Sequence, residues 1–415
     1  KVTDDHRFYT PEGWKKAVEL NAGNKVAVYP STEFIGPRYS KKILINEEDI
    51  RKHAFKNMRV DLYIKELRDN GLVPLQFDNP NLLIISRLIG AQFSDGSLYY
   101  LKSNNYREIS FSVGQKEDAE EIKQDLNNLG YDCTFKKKIS KCNISGRSFV
   151  MRSYAVRCQS TSLWLLLKAL GAPVGNKTNT IYKIPVWLME AGDDLQREFL
   201  AAYLGGDGPT INIRLQKRRD KEPYNSLLIN DIEFHKRADL EKSGLILAYQ
   251  ISKFLSKFGV EVNRIFSEDD KYVRKDKSRV KIIHIQIPKD FESGYNLCHK
   301  IGYVYTKQKS LNSKFVGEFL RKRLFERQLC RQKYKDATSL FREKKMSIKK
   351  ISLQLGLSAN TVFGWVRYNK KPTTFKHFEK YPTWLREAKR GLRDGLLWEK
   401  IKRIMTASDW VDIYI

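Results

Sequence analysis

Two acidic residues stand in the same local context at distant points of the chain. Asp95 follows Leu88-Ile89-Gly90-Ala91-Gln92-Phe93-Ser94 and precedes Gly96; Asp207 follows Leu200-Ala201-Ala202-Tyr203-Leu204-Gly205-Gly206 and precedes Gly208. Each run predicts an apolar helix that ends in an acid and then glycine. A single Asp-Gly after an apolar run is commonly a helix-ending turn. Two copies with matched small positions carry more. The third and seventh positions are small in both, Gly90 and Ser94 in one, Ala202 and Gly206 in the other. Residues four apart share a helix face, and a stripe of small residues lets two helix backbones approach closely. Packed about a pseudo-twofold axis, such helices would set Asp95 and Asp207 side by side. An acid at a helix C-terminus faces the negative end of the macrodipole. A shared divalent metal would make that placement worthwhile.

Both runs resemble the signature of LAGLIDADG homing endonucleases. The resemblance implies an α+β fold in which an αββαββα unit is followed by its repeat, over about residues 82–190 and 195–305. It implies that Asp95 and Asp207 bind divalent metal, magnesium above all, for hydrolysis of phosphodiesters in double-stranded DNA. Lys183-Ile184-Pro185 resembles the K-x-P element of intein endonucleases, whose lysine completes one active site. The second repeat echoes it as Gln286-Ile287-Pro288, with Gln286 where a lysine would stand; Lys281 and Lys289 are the neighbouring cations. A lysine beside the metals would stabilise charge building on a phosphoryl oxygen.

The flanks carry a second resemblance. Thr3-Asp4-Asp5-His6, with Thr10, Gly13-Trp14, Ala17, Leu20 and Gly23, resembles the second splicing block of inteins, with Asn24 where the family usually has Asp. There, Thr3 and His6 would polarise the upstream scissile peptide bond, work that suits an imidazole near neutral pH. At the other end, Trp398-Glu399-Lys400-Ile401 leads to Val411-Asp412-Ile413-Tyr414-Ile415, which looks like the penultimate block, and Asp412 would assist the downstream junction. The resemblance implies a mostly β Hint splicing domain split around the endonuclease, with host exteins as partners in a precursor. The chain starts at Lys1 and stops at Ile415 without the junction residues, so as written it is not expected to splice.

Composition agrees with a polyanionic partner. The formal net charge is +28 and the pI about 9.7, which points to nucleic acid rather than to any particular fold. Clusters recur along the chain, at Lys136-Lys137-Lys138, Lys217-Arg218-Arg219, Arg274-Lys275 and Arg321-Lys322-Arg323. No apolar run is long and charge-free enough to span a bilayer, and no secretory signal is visible. The five cysteines are scattered with no CxxC pair, which argues against a zinc ribbon or disulfide scaffold and for a reducing, cytoplasmic setting.

Periodicity places the remaining elements. Residues 46–70 read as charged helix and 71–80 as a Gly/Pro-punctuated connection. Strands are expected over 109–113, 133–139 and 149–158, with helices over 117–129 and 162–170. The second half repeats the order, with strands over 210–218 and 229–235, a helix over 240–258, and strands over 262–266 and 280–287. Along the first of these, Ile211, Ile213 and Leu215 alternate with Asn212, Arg214, Gln216 and Arg218. Alternation puts the polar set on one face, where Arg, Asn and Gln can read base edges in a major groove. Residues 334–369 read as helix, Gly turn, Ser cap and helix, resembling a helix-turn-helix. Ile351, Leu355, Leu357, Val362 and Trp365 would be its core, and Asn360, Thr361, Phe363 and Arg367 its exposed contacts.

The expected organisation is thus splicing-domain halves at 1–45 and 391–415, an endonuclease at 46–310, and a helical DNA-binding segment at 311–390. The expected function is an intein-encoded, monomeric, site-specific endonuclease on double-stranded DNA. A non-cleaving DNA-binding regulator on the same fold is the alternative, and an RNA maturase a third reading.

Overall fold

The computed structural model describes residues 2–32, 40–56, 58–101, 103, 106–144, 147–217, 222–271, 278–372, 379–393, 395–407 and 410–414. The chain opens with β1 Arg7–Thr10, β2 Gly13–Lys16 and β3 Lys25–Val28. It continues with β4 Ile43–Ile45, α1 Glu47–His53, α2 Val60–Asp69, β5 Leu75–Gln76 and α3 Asn81–Phe93. Then follow β6 Gly96–Leu101, β7 Tyr106–Val113, α4 Lys116–Asn128, β8 Thr134–Ile144, β9 Arg147–Cys158, α5 Thr161–Ala169 and α6 Val186–Met189. The second half has α7 Asp193–Gly206, β10 Asn212–Gln216, β11 Tyr224–Leu228, β12 Ile232–Arg237, α8 Glu241–Lys257, β13 Arg264–Asp269, β14 Val280–Gln286 and α9 Phe291–Asn296. Last come α10 Lys307–Arg342, α11 Ile348–Leu355, α12 Ala359–Tyr368, α13 Tyr381–Lys389, β15 Leu397–Lys400, β16 Arg403–Ala407 and β17 Trp410–Tyr414.

Contacts gather these elements into two units. One comprises Lys1–Ser31, Ile213–Ser226 and Phe315–Ile415; the other comprises Thr32–Asn212 and Leu227–Lys314. Within the second, the first repeat runs α3-β6-β7-α4-β8-β9-α5, the αββαββα order that the sequence predicts. Its four strands form an antiparallel sheet in the order β6-β7-β9-β8. The second repeat departs from the prediction. Its sheet is β12-β14-β13, and β10 pairs instead with β11, a strand the sequence pattern does not announce. The physical cause lies in the side chains. Ile211 and Ile213 are buried, but Arg214, Gln216 and Lys217 are exposed and so is Leu215, at 41%. Beyond Ile213 the strand has no apolar face to bury, so it forms a polar ribbon with its neighbour instead of covering a core.

The other unit holds the β1–β2 hairpin, β3 paired with β15, and the β16–β17 hairpin, with Leu20, Val26 and Ile401 as a small core. A separate cluster of Cys330, Ala337, Leu340, Ile351, Val362, Trp365 and Val366 joins α10, α11 and α12. Ser347 and Ser358 cap α11 and α12 through their side chains, and Gly356 ends α11 at φ 60°, a left-handed turn that glycine adopts freely. Leu355 and Leu357, expected in this core, are only partly buried against it.

The core of the larger unit is the α3–α7 pair. Leu82, Ile85, Leu88 and Ile89 of α3, and Phe199, Leu200 and Leu204 of α7, are almost fully buried. The backbones touch at the small residues. Ser86 Oγ donates to the Leu195 carbonyl at 2.6 Å. A Cβ on Gly90 would overlap the Phe199 carbonyl oxygen, and one on Gly206 would stand 2.5 Å from Ser94 Oγ. Farther from the helix ends that carry the acids, Arg87 reaches Glu198 at 2.8 Å and Asp125 at 2.9 Å, and the Tyr305 hydroxyl donates to Asp125 at 2.6 Å.

This geometry leaves no room for a methyl group at position 90, and the neighbour is backbone that cannot rotate away. Gly90→Ala is expected to destabilise the larger unit by roughly 2–4 kcal/mol. Gly114→Ala, at a glycine with nothing within 4 Å of the added Cβ, is expected to stay within about 0.5 kcal/mol of the parent. Urea unfolding of both variants checks this, and equal midpoints would contradict the close packing.

Candidate functional site

The approach of α3 to α7 places two acids together. Asp95 sits in the turn just past α3, and Asp207 caps α7. Asp95 Oδ2 is 3.0 Å from where a Cβ on Gly206 would lie, so it stands against the residue preceding Asp207. The glycine after each acid is forced by space. A Cβ on Gly96 would lie 2.8 Å from the Ala91 carbonyl oxygen, and one on Gly208 would crowd Leu204. Beside Asp95 opens a cavity of about 90 Å³, walled by Ser94, Gly205, Gly206, Asp118 and Tyr305 among others. That volume accommodates a few waters, each occupying about 30 Å³ in the liquid.

A lysine seals each helix end. Lys177 Nζ donates to the carbonyls of Gln92 at 3.2 Å and Gly96 at 2.8 Å, and to that of Ser94. Lys309 Nζ donates to the carbonyls of Gly205 at 2.8 Å, Gly206 at 3.0 Å and Gly208 at 2.9 Å. These are the carbonyls that a helix end leaves unpaired, and an ammonium there also offsets the negative end of the dipole. Both lysines act electrostatically on both aspartates.

The ionisation of the pair follows from burial and mutual repulsion. Asp207 is pushed up to about 7, first by burial and then by the Asp95 charge, against the pull of Lys177 and Lys309. Asp95, which keeps an exposed surface, is also raised, mainly by its crowded surroundings. Burial lowers Lys177 and Lys309, while the two acids pull them back up. Two carboxylates that resist ionising together form a site that a cation stabilises. Among the described residues, no group of three or more His, Cys, Asp or Glu side chains could hold a metal on its own. Two carboxylates are a donor set that fits a hard, oxygen-seeking divalent ion whose remaining positions are filled by water or phosphate oxygens.

The other residues singled out from sequence lie elsewhere. Lys183 is exposed in the stretch before Pro185, while its neighbour Ile184 is buried and hydrogen-bonded through its N–H to Gln250 at 2.8 Å. The cations that act on the acids include Lys177 and Lys309. Gln286 ends β14 opposite Arg264, with its carbonyl accepting from Asn263. Lys281 pairs with Asp269 at 3.1 Å and Lys289 is exposed. Asn212, Arg214 and Gln216 lie on β10, where Gln216 accepts from the Tyr224 hydroxyl; Arg218 falls outside the described residues. Thr3 donates to Asp5 at 2.6 Å, and His6 walls a separate cavity with Arg7, Tyr9 and Trp14. Asp412 stands opposite Met405 in the backbone register of β16 and β17. Asn360, Phe363 and Arg367 are exposed on α12, and Thr361 shares a hydrogen bond with Ser358. Lys177 and Lys309 escape sequence reasoning because their partners are backbone carbonyls, which carry no residue identity. Their unequal distances from Asp95 and Asp207 also hide them from a repeat search.

No family model matches the chain. Over 77% of its length it is 31% identical to 23% of DNA-directed RNA polymerase subunit Rpo1N of Methanocaldococcus jannaschii. Over 82% it is 29% identical to 33% of the tRNA-splicing ligase RtcB of the same organism, and over 97% it is 26% identical to 39% of RtcB from Pyrococcus furiosus. The chain thus spans well under half the length of the curated relatives it matches. Its neighbours among solved structures are LAGLIDADG proteins at low scores. They include the homing endonuclease I-DmoI with DNA and Ca, at TM-score 0.30 and 13% identity over 54% of this chain and 91% of that one. Another is the homing endonuclease I-WcaI on its DNA recognition sequence, at 0.32 and 15% over 61% and 92%. Scores this low carry no argument about activity. The expectation of an intein-encoded endonuclease on double-stranded DNA, with a DNA-binding regulator as alternative, is corrected by the sequence relatives. Several of them are RtcB RNA ligases matched over most of the chain, and no relative named here is a homing endonuclease or a splicing element. Among the described residues no helix is long and apolar enough to cross a membrane.

The ionisation of Asp207 has a consequence for stability. Its folded value, about 7, lies above the ordinary 3.8, so the folded state holds this proton more tightly than the unfolded chain. Its contribution to stability is present at low pH and is lost as pH rises through 4 to 7. In metal-free buffer, Asp207→Asn is expected to be more stable than the parent at pH 8 by on the order of 2 kcal/mol, with the difference shrinking toward pH 4. Thermal melts across that range check it, and a pH-independent difference would contradict the raised ionisation of Asp207 beside Asp95.

Proposed function

We propose that this chain is a segment carried within larger nucleic-acid-handling proteins, and that Asp95 and Asp207 hold divalent metal, magnesium in the cell, against a phosphodiester of the polymer. The observation that carries this reading is the meeting of two carboxylates at the ends of the two most tightly packed helices, each end sealed by a lysine. The chemistry proposed is metal-dependent phosphoryl transfer on a nucleic-acid backbone.

A bound divalent ion would polarise a phosphoryl oxygen and lower the pKa of a coordinated water. The protein's own contribution is positional and electrostatic. The acids ionise as the cation enters, and the Lys177 and Lys309 ammoniums, fixed on backbone carbonyls, supply positive charge that need not reorganise during reaction. The net charge of +28 supports a polyanionic partner. The relatives' names, a DNA-directed RNA polymerase subunit and tRNA-splicing ligases, support nucleic acid as what such partners have in common. Asn360, Phe363 and Arg367 on α12, with Arg214 and Gln216 on β10, are proposed as further contacts to the polymer.

The test uses the full chain with magnesium, offered end-labelled transfer-RNA-like transcripts and duplex DNA in parallel. A metal-dependent change in backbone connectivity of the RNA is expected, with the DNA as the comparison, slowed on the order of a hundredfold or more in Asp95→Asn and in Asp207→Asn. Parent-like rates in both variants, or products that persist in chelator, would remove the assignment.

A further inference from the structure

The two sealing lysines sit on segments that are not held by their own repeats alone. Lys177 follows the first repeat and seals the first-repeat helix α3. Its segment is held from the second repeat, where the Lys236 ammonium at the end of β12 donates to the carbonyls of Lys177 and Thr180, both at 2.8 Å. Beside it, the Arg237 N–H donates to the Thr178 carbonyl at 3.0 Å. Lys236 is 0% exposed, and its ammonium lies 3.7 Å from the centre of the Tyr182 ring. That ring in turn meets Phe93 of α3 edge-on. Burial, and then Lys177, lower Lys236 to about 8. A lysine so enclosed is retained for what its charge holds, since burying an ammonium is costly without partners.

Lys309 shows the mirror arrangement. It follows the second repeat and seals the second-repeat helix α7. Its segment is held from the first repeat, where the buried Asp118, in the first turn of α4, accepts from the Lys307 N–H at 2.7 Å. The Tyr305 hydroxyl donates to Asp125 farther along the same helix. Lys236 ends the strand that leads into α8, and Asp118 begins α4, which follows the corresponding strand of the first repeat. The two anchors therefore flank the strand-to-helix junction of opposite repeats, Lys236 on the strand before it and Asp118 in the first turn of the helix after it.

We propose that Lys236 and Asp118 are positioning residues, each fixing from one repeat the segment whose lysine seals the acid-bearing helix of the other. The consequence is reciprocity. Neither half of the site keeps its lysine in place unless the other half is folded, so the two acids gain their charge partners together. This rests on the metal-site reading for its functional meaning, but the anchoring itself is a property of the apoprotein.

The experiment uses the full chain and two readouts. Hydrogen exchange without metal is measured for peptides covering residues 90–98 and 174–181. Lys236→Met is expected to speed exchange in both regions, and Lys177→Met in the first. Combining the two changes is expected to add nothing further in the first region, because one acts through the other. Mn2+ titration at pH 7.5, below the Lys236 value, supplies the second readout. Lys177→Met removes a fixed positive charge beside the acids and is expected to tighten Mn2+ binding roughly threefold or more. Lys236→Met should reproduce part of that gain and lose its effect in the Lys177→Met background. For the mirror anchor, Asp118→Asn keeps the acceptor oxygen and should behave as the parent, whereas Asp118→Leu should speed exchange over 200–208. Independent, additive effects of Lys236→Met and Lys177→Met, or equal behaviour of Asp118→Asn and Asp118→Leu, would overturn the proposal. If the exchange results hold and the parent binds no Mn2+, the metal-site reading fails and the anchoring stands.

Discussion

The contact between the backbones of α3 and α7 is the constraint on which the site depends. Helices normally pack 8–10 Å apart, kept there by side chains. Here Gly90 lies directly against the Phe199 carbonyl, and Gly206 against the short Ser94 side chain, so neither helix has room for a Cβ at these points. That closeness brings Asp95 and Asp207 together. It also brings two helix C-termini together, each with unpaired carbonyls and a partial negative charge. The same packing therefore creates the acidic pair and aggravates its repulsion.

The remainder of the site answers that repulsion. Lys177 and Lys309 spend their hydrogen bonds on carbonyls rather than on the carboxylates. Their charges reach both acids, yet Asp207 still sits near 7. The helix-end carbonyls are bonded, while the two carboxylates stay hard to ionise together. Farther back along α3 the opposite holds, where Arg87 pairs directly with Glu198 and Asp125. One part of the helix pair is closed electrostatically and the other is left needing a cation, which is the physical content of calling it a candidate metal site.

What was legible in the sequence was what side-chain identity encodes locally. The small residues at 90, 94, 202 and 206, the acid at each helix end and the glycine after it can be read directly. So can the helices 116–128 and 241–257, which lie within a residue or so of where periodicity puts them. The illegible parts have a common cause. Lys177, Lys309 and Lys236 bind backbone carbonyls, and any residue supplies those. Lys183 and Gln286 stand out by motif context, whereas Lys177 and Lys309, whose charges reach the acids, follow their repeats with no such context. The pairing of β10 with β11 was hidden because alternation along 211–216 is real but stops being buried after Ile213. Function was the least legible of all. The resemblance of two short runs suggested an enzyme class, while the relatives over most of the chain carry other names.

Those names differ from one another, and this sharpens what the segment can be. The chemistry proposed for a stretch that covers a minority of such different relatives requires its groups to lie within that stretch. The geometry meets that requirement. Asp95, Asp207, Lys177, Lys309, Lys236 and Asp118 all belong to the unit made of Thr32–Asn212 and Leu227–Lys314. Every carbonyl sealed by the two lysines lies in it as well. The groups of the candidate site thus lie within one unit, and each repeat bonds the segment that carries the other's sealing lysine.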